Sequence, residues 1–290
     1  MEPKSLKSDS LLLLASLIWG TAFVAQRIGM QSFPPFLFNG IRFLLGALVL
    51  IPIIMIKKNN SSFGRCGFPL GNPFQRQFVI LGLLLFGGAS LQQVGIVFTT
   101  AGKAGFITGL YVILVPMLGI FFNRKTRITT WLGAAFGVIG LYYLSIRNDF
   151  SIHTGDLLVL IGAFFWSFHV LAVDKFTEKW EPLHLAFWQF VFCGLLSMAT
   201  GLAFEETSLH ALTTTAIPIL YAGVLSVGIA YTLQVVGQKH AHPSHAAIIL
   251  SLESPFAALA GYIILNEVLS GREVLGAALM ITGMIISQIF

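Results

Sequence analysis

Charge is scarce in this sequence. Only 10% of its 290 residues are Asp, Glu, Lys or Arg, where a soluble chain would carry about 25%. Hydrophobic residues make up 56%, and the mean hydropathy is +0.84. Cysteine is nearly absent: Cys66 falls on a basic loop and Cys193 inside an apolar run, so no disulfide is implied. There is no P-loop, no His-Glu-x-x-His and no Ser-centred nucleophile elbow. Lack of a nucleotide motif argues against an ATP-driven pump, and no cofactor is expected.

Long apolar runs take the place of these signals. Ten recur, near 10–30, 35–56, 77–98, 104–122, 129–146, 156–174, 183–203, 215–237, 246–265 and 272–289, each long enough to cross a bilayer as a helix. The first is too long for a signal peptide and reads as a retained helix. No stretch between runs is long enough for a soluble domain. The expected fold is an all-α polytopic membrane protein with ten transmembrane helices.

The pI of about 9.3 invites a nucleic-acid reading, which the placement of charge argues against. With a cytoplasmic N-terminus, the outer segments hold only Arg27, Lys103, Arg147 and Arg272, and Arg42 lies inside a helix. The other twelve of the 17 Lys and Arg residues fall on inner segments. That is the positive-inside pattern, with both termini cytoplasmic.

The sequence repeats itself. With a shift of 147, Trp19 meets Trp166, Ala25 meets Ala172, Pro35 meets Pro182 and Phe43 meets Phe190. With a shift of 142, Leu91-Gln92 meets Leu233-Gln234, Gly95 meets Gly237, Ala104 meets Ala246 and Gly119 meets Gly261. Residues 1–150 and 151–290 thus form two five-helix repeats that make one transport domain. Five is odd, so the second repeat is inverted relative to the first. Loop charge agrees: the 57–76 loop is basic, whereas its counterpart near 204–214 carries Glu205 and Glu206, and Arg124-Lys125 answers Asn266-Glu267. Inverted repeats with a site near the midplane are a build of many secondary transporters.

The stretches "WGTAFVAQRIG", "PPFLFNGIRF", "AGFITGLYVILVPMLG", "GDLLVL" with Trp166, and "AAIILSLESPFAALAGYIILNEVL" resemble the EamA-type branch of the drug/metabolite transporter superfamily. The likeness covers nearly the whole chain. It implies a ten-helix transporter of the bacterial inner membrane, often exporting amino acids or related metabolites. One departure concerns a Glu-Pro pair usual in the family: here Ser254 separates Glu253 from Pro255.

Polar residues inside the apolar runs are the candidate substrate contacts. Asn39 and Arg42 share a helix face, and the repeat puts uncharged Gln189 at the position of Arg42. Gln92, Gln93 and Gln234 are buried amides, read either as helix–helix glue or as cavity wall. Trp19, Phe23 and Gln26 form a stripe matched by Trp166, His169 and Val173. Tyr111 answers Glu253 across the repeat. Glu253 carries two readings: a protonated structural residue bonding backbone groups freed by Pro255, or the titrating group of the cavity. The cavity is expected among helices 1 to 4 and 6 to 9, with helices 5 and 10 peripheral.

Other signals are weaker. In "HVLAVD" the His169 and Asp174 side chains would point about 140° apart on a helix, unlike an acyltransferase pair. "HAHPSH", with His240, His242 and His245, lacks a neighbouring Cys or carboxylate for a metal. The reading is a secondary transporter of a small metabolite such as an amino acid, working by alternating access as a monomer or homodimer, with protons as a candidate second cargo. The rival is an intramembrane enzyme acting on a lipid or lipid-linked group, for which only Glu253 qualifies as a catalytic group.

Overall fold

A computed structural model describes residues 3–60, 75–99, 101–145, 154–265 and 270–289. Arg65, Cys66, Arg147, Asn266 and Glu267, to which the sequence assigned loop positions, lie outside the described residues, as does most of the 57–76 loop. Among the described residues every regular element is a helix. A backbone in lipid must satisfy its polar groups internally, and a helix does so within one segment.

Among the described residues seven spans are long and apolar enough to cross a membrane: Leu6–Gly29, Pro35–Ile56, Arg76–Phe98, Thr154–Thr177, Pro182–Phe204, Ala216–Gln238 and Pro243–Ile264. The runs at 104–122 and 129–146 are met by the shorter apolar helices Ile107–Phe121 and Ile128–Tyr143. The last run is met by Gly271–Ile289. The protein is a multi-pass membrane protein.

The helices are α1 (Pro3–Gly29), α2 (Pro35–Asn60), α3 (Arg76–Phe98), α4 (Ala101–Gly109), α5 (Tyr111–Phe121), α6 (Ile128–Ser145), α7 (Thr154–Thr177) and α8 (Pro182–Phe204). They continue as α9 (Leu209–Thr214), α10 (Ala216–Leu220), a π-helical stretch (Tyr221–Tyr231), α11 (Thr232–Gln238), α12 (Pro243–Leu250), α13 (Glu253–Leu265) and α14 (Gly271–Ile289). Three runs expected as single helices are therefore broken or widened. The 104–122 run divides at Leu110, the 246–265 run at Ser251 and Leu252, and the 215–237 run passes through eleven residues of π-helix.

Small residues set which helices meet, because without a Cβ two backbones approach closely. A Cβ on Gly133 would lie 2.6 Å from the Gly283 carbonyl oxygen, so α6 and α14 pack backbone to backbone. Gly40, Gly194 and Gly201 do the same for α2 and α8. Gly20 seats α1 on the start of α13, where a Cβ would stand 2.5 Å from Phe256 Cβ and 2.8 Å from the Glu253 carbonyl.

Polar ties sit at the helix ends. Glu205 reaches across from the end of α8 and accepts from the Phe36 and Leu37 amides at 2.9 and 2.8 Å, placing a carboxylate at the positive end of α2. At the opposite membrane face Arg124 pairs with Asp174 at 2.5 Å and Glu178 at 2.6 Å. Its hydrogen bond to Glu178, and then the Asp174 charge, push the Arg124 pKa up against the effect of burial. His245 bridges three helices, meeting Asp9 at 3.1 Å and Ser287 at 2.9 Å. His242 begins α12 by accepting from the Ser244 amide. Asp174 pairs with Arg124 while His169 faces Gln189, so the two residues of "HVLAVD" do separate jobs.

Gly20 supplies a direct test of this packing. Gly20→Ala forces a methyl into the α1–α13 contact, and overpacking of this kind costs about 1–3 kcal/mol. The variant is expected to lose thermal stability in detergent, whereas Gly271→Ala, with nothing within 4 Å of the added methyl, is expected to melt like the parent. Equal melting of both would refute the close approach.

Candidate substrate cavity

Where a helix breaks, backbone groups and the flanking side chains become available for a ligand. At the first break the Leu110 amide donates to the Ile107 carbonyl at 3.2 Å, a tightened turn, before α5 restarts at Tyr111. At the second, Pro255 cannot donate to the Ser251 carbonyl, and the Ser254 amide takes that oxygen at 3.1 Å instead. One part of the structural reading of Glu253, a bond to backbone freed by Pro255, is not what the structure has. Backbone freed by Pro255 is satisfied by backbone, and the Glu253 carboxyl turns inward, accepting from the Tyr111 hydroxyl at 3.2 Å. Each break thus presents one of two bonded side chains. Ser254, the residue inserted before the proline, donates to the Gly105 carbonyl at 3.2 Å and ties α13 to α4.

Both groups line a central cavity of about 40 Å³. Its other polar walls come from α1 (Gln26), α2 (Arg42), α3 (Gln92), α4 (Thr108), the π-helical stretch (Ser226) and α11 (Gln234). Sites that hold small ligands run to roughly 300–1,000 Å³, so this conformation is contracted around the centre.

Arg42 is 2% exposed. Its Nε donates to Asn39 Oδ1 at 2.9 Å, and Asn39 donates to the Ala89 carbonyl at 3.2 Å, which fixes the plane of the guanidinium. The cation also lies 5.0 Å from the centre of the Phe43 ring, a favourable face for it. Among the described residues no carboxylate pairs with Arg42, although Glu253 borders the same cavity.

Three acceptors in the wall are buried without a partner: Gln26 Oε1, Gln234 Oε1 and the Thr108 hydroxyl oxygen. The two amides are oriented by their other ends. Gln26 Nε2 donates to the Ala22 carbonyl at 3.3 Å, and Gln234 Nε2 to Gln238 Oε1 at 2.9 Å. Unpaired buried acceptors are costly, and a bound donor group would relieve them.

Aromatic rings close the site. Tyr231 stacks on Trp166 at 6.0 Å and 27°, and meets Trp19 at 4.5 Å, with Phe43 and Phe190 behind. Trp166 Nε1 donates to Gln92 Oε1 at 2.9 Å. Trp19 Nε1 instead finds the Ser226 carbonyl at 3.2 Å, a group carried by the π-helical stretch.

Of the residues singled out from sequence, the cavity brings together Trp19, Gln26, Arg42, Gln92, Tyr111, Trp166, Gln234 and Glu253. Asn39 stands behind Arg42. His169 and Gln189 bond each other at 2.7 Å, fully buried between α7 and α8, and Gln93 is fully buried off the cavity wall. The sequence stripe on α7 was therefore one residue out. Val170, four residues after Trp166, lines the cavity as Phe23 does four residues after Trp19, and His169 is turned about 100° away. The seventh run was also expected to bound the cavity, but α8 contributes no lining residue. Its glycines press it onto α2, and Phe190 backs Tyr231 from outside. Neither α6 nor α14 reaches the wall.

Sequence reasoning missed Tyr231, Thr108 and Ser226. Thr108 sits three residues before Tyr111 on the same run, a spacing that could have flagged it. Tyr231 aligns with Ala89 under the 142 shift, so the repeat hid it. Ser226 contributes a backbone carbonyl, which no side-chain pattern reveals.

Several proteins of similar sequence are named as transporters. An uncharacterized transporter of Archaeoglobus fulgidus is 32% identical over 98% of this chain and 86% of its own length. A probable amino-acid metabolite efflux pump of Escherichia coli is 24% identical over 98% of this chain and 95% of its own. One crystal structure superposes with a TM-score of 0.80 at 20% identity, covering 97% of this chain and 96% of that one, which establishes the fold. The EamA-like transporter family matches residues 6–146 and 153–288, and the chain belongs to that family.

Proposed function

We propose that this transporter exports a small zwitterionic metabolite of the amino-acid class across a bacterial inner membrane by alternating access. The observation that carries the reading is the pair of opposite groups on one cavity: Arg42, a fixed cation with no counter-ion among the described residues, and Glu253, a carboxyl held by Tyr111. A substrate carboxylate would complete Arg42 through charge-assisted hydrogen bonds. Its ammonium would donate to Glu253 and to the unpaired oxygens of Gln26, Gln234 and Thr108. The rings of Trp19, Trp166 and Tyr231 would cover the apolar remainder. The name of the Escherichia coli relative, an amino-acid metabolite efflux pump, supports the same substrate class and direction.

The architecture under this proposal is ten transmembrane helices in two inverted repeats, 1–150 and 151–290. Ten of the fourteen cavity residues form five pairs at the shifts of 147 and 142, among them Phe23 with Val170 and Thr108 with Leu250. The two helix breaks, at Leu110 and Leu252, are also 142 apart. Broken helices at matching positions of two repeats favour a site at their interface.

Two outcomes are expected. In proteoliposomes, amino acids should compete for transport, whereas their methyl esters and decarboxylated amines should compete poorly. Arg42→Gln should lower transport by roughly 10- to 100-fold, the loss expected for a hydrogen bond to a charged group, and should erase the preference for the carboxylate. Turnover of a lipid-linked group without any transport would overturn the proposal.

Glu253→Gln keeps hydrogen bonding and removes titration. If the carboxyl exchanges protons during the cycle, the variant should retain its fold but lose the pH dependence of transport. An unchanged rate and pH profile would make Glu253 structural.

The proposal puts both termini in the cytoplasm, on the strength of the loop charges. In a cysteine-free background, Lys125→Cys should resist an impermeant thiol reagent added to intact cells, and His210→Cys should react. The reverse pattern would invert the topology.

A further inference from the structure

At the face where Lys and Arg concentrate, a groove of about 650 Å³ runs between α3 and α7 and shares no residue with the central cavity. Its two walls change character together. On α3, Arg76 and Gln77 give way to Ile80 and Leu84; on α7, Lys175 gives way to Leu171 and then Phe168. From Arg76 to Leu84 the helix rises about 12 Å, under half of a hydrocarbon core roughly 30 Å thick. The groove therefore has the depth of a single leaflet, charged at the membrane surface and apolar toward the midplane.

The charges at the mouth are not all satisfied. Arg124 and Glu178 also line it, and Arg124 is held by Asp174 and Glu178. Arg76 and Lys175 are exposed, and among the described residues neither has a carboxylate within ion-pair distance.

We propose that this groove is a binding site for an anionic phospholipid of the adjacent leaflet. Arg76 and Lys175 hold the phosphate and its extra negative charge, and one acyl chain lies along Ile80, Leu84, Leu171 and Phe168. A free phosphate would leave the apolar part of the groove empty. A zwitterionic lipid would bring its own cation to a mouth that already holds two unpaired ones.

The test uses the full-length protein, delipidated in detergent and titrated with phosphatidylglycerol or phosphatidylcholine of matched chains, with native mass spectrometry reading the lipid retained. Phosphatidylglycerol should be held more tightly than phosphatidylcholine. Two basic side chains near an anionic headgroup account for about fivefold each, so the Arg76→Gln/Lys175→Gln protein should lose roughly 25-fold in affinity for phosphatidylglycerol. Lys239→Gln, which removes a charge of the same face outside the groove, should change nothing. Ala172→Phe fills the apolar wall with the charges intact and should expel the lipid. If that variant fails to fold, the double charge variant, altered only at exposed positions, carries the test alone. Equal retention by the parent and the double variant would overturn the site. So would full retention by a monodisperse Ala172→Phe protein, or displacement by inorganic phosphate at the concentrations where phosphatidylglycerol binds.

Discussion

An ionised carboxylate at the centre of a bilayer costs about 2.5–3.5 kcal/mol even on insertion scales, and Glu253 is only 5% exposed. Among the described residues no cation pairs with Glu253, and local architecture places its carboxyl instead. Glu253 opens α13 immediately after the break at Ser251 and Leu252, and its carboxyl accepts from Tyr111, which opens α5 after the other break. Pro255 removes one helix donor, the Ser254 amide makes good the loss, and the carboxyl is left to face the cavity. Gly20 allows α1 to close over the same turn. The breaks, the proline and the glycine all serve the placement of one acidic group.

Arg42 is the complementary problem solved another way. Its charge is spread over a planar group, braced by Asn39 and laid against Phe43, and its remaining donors stay available at the cavity. Were Arg42 and Glu253 bonded to each other, each would be satisfied and neither would need a ligand. The aromatic cluster around Tyr231 fills the space near them. The π-helical stretch makes the arrangement asymmetric. Trp166 bonds Gln92, but Trp19, its counterpart, bonds the Ser226 carbonyl, which leaves Gln234 Oε1 unpaired. The two indoles therefore take different acceptors, an asymmetry that the proposed zwitterionic substrate, with its unlike ends, would use.

Much of this was legible in the chain because bilayer thickness and low charge leave few alternatives. The apolar runs found their helices; Glu253 stood out as a carboxylate inside one of them, and the match between residues 1–150 and 151–290 pointed to Trp19, Trp166, Gln92, Gln234 and Tyr111. The failures have physical causes. A one-residue error on α7 exchanged Val170 for His169, since adjacent residues on a helix point about 100° apart. The π-helical stretch has no composition of its own, and "YAGVLSVGIAY" would read as ordinary α-helix. Tyr231 has no equivalent in the other half. Gln93 and Gln189 have the amides expected of a cavity wall, but their rotation about the helix axis, which sequence alone does not set closely, takes them off it.

The small volume of the cavity gives these contacts a dynamic meaning. In the proposed cycle the site must widen, and the ties around it differ in how readily they part. The α6–α14 and α2–α8 contacts are made by backbone against glycine and would lose close packing over many atoms if separated. The link from Arg124 to Glu178 is made by side chains that are 34% and 54% exposed, where water and salt replace an ion pair at a cost of about 0–1 kcal/mol. The Asp9–His245 contact is more buried, at 7% and 14%, but it too joins side chains at the ends of their helices. Opening at the basic face would therefore begin with these polar links, while the glycine contacts hold the helix pairs together as units. Within the wall, Tyr231 meets both Trp19 and Trp166, so in the proposed cycle a change in the Tyr231 rotamer would free both indoles at once.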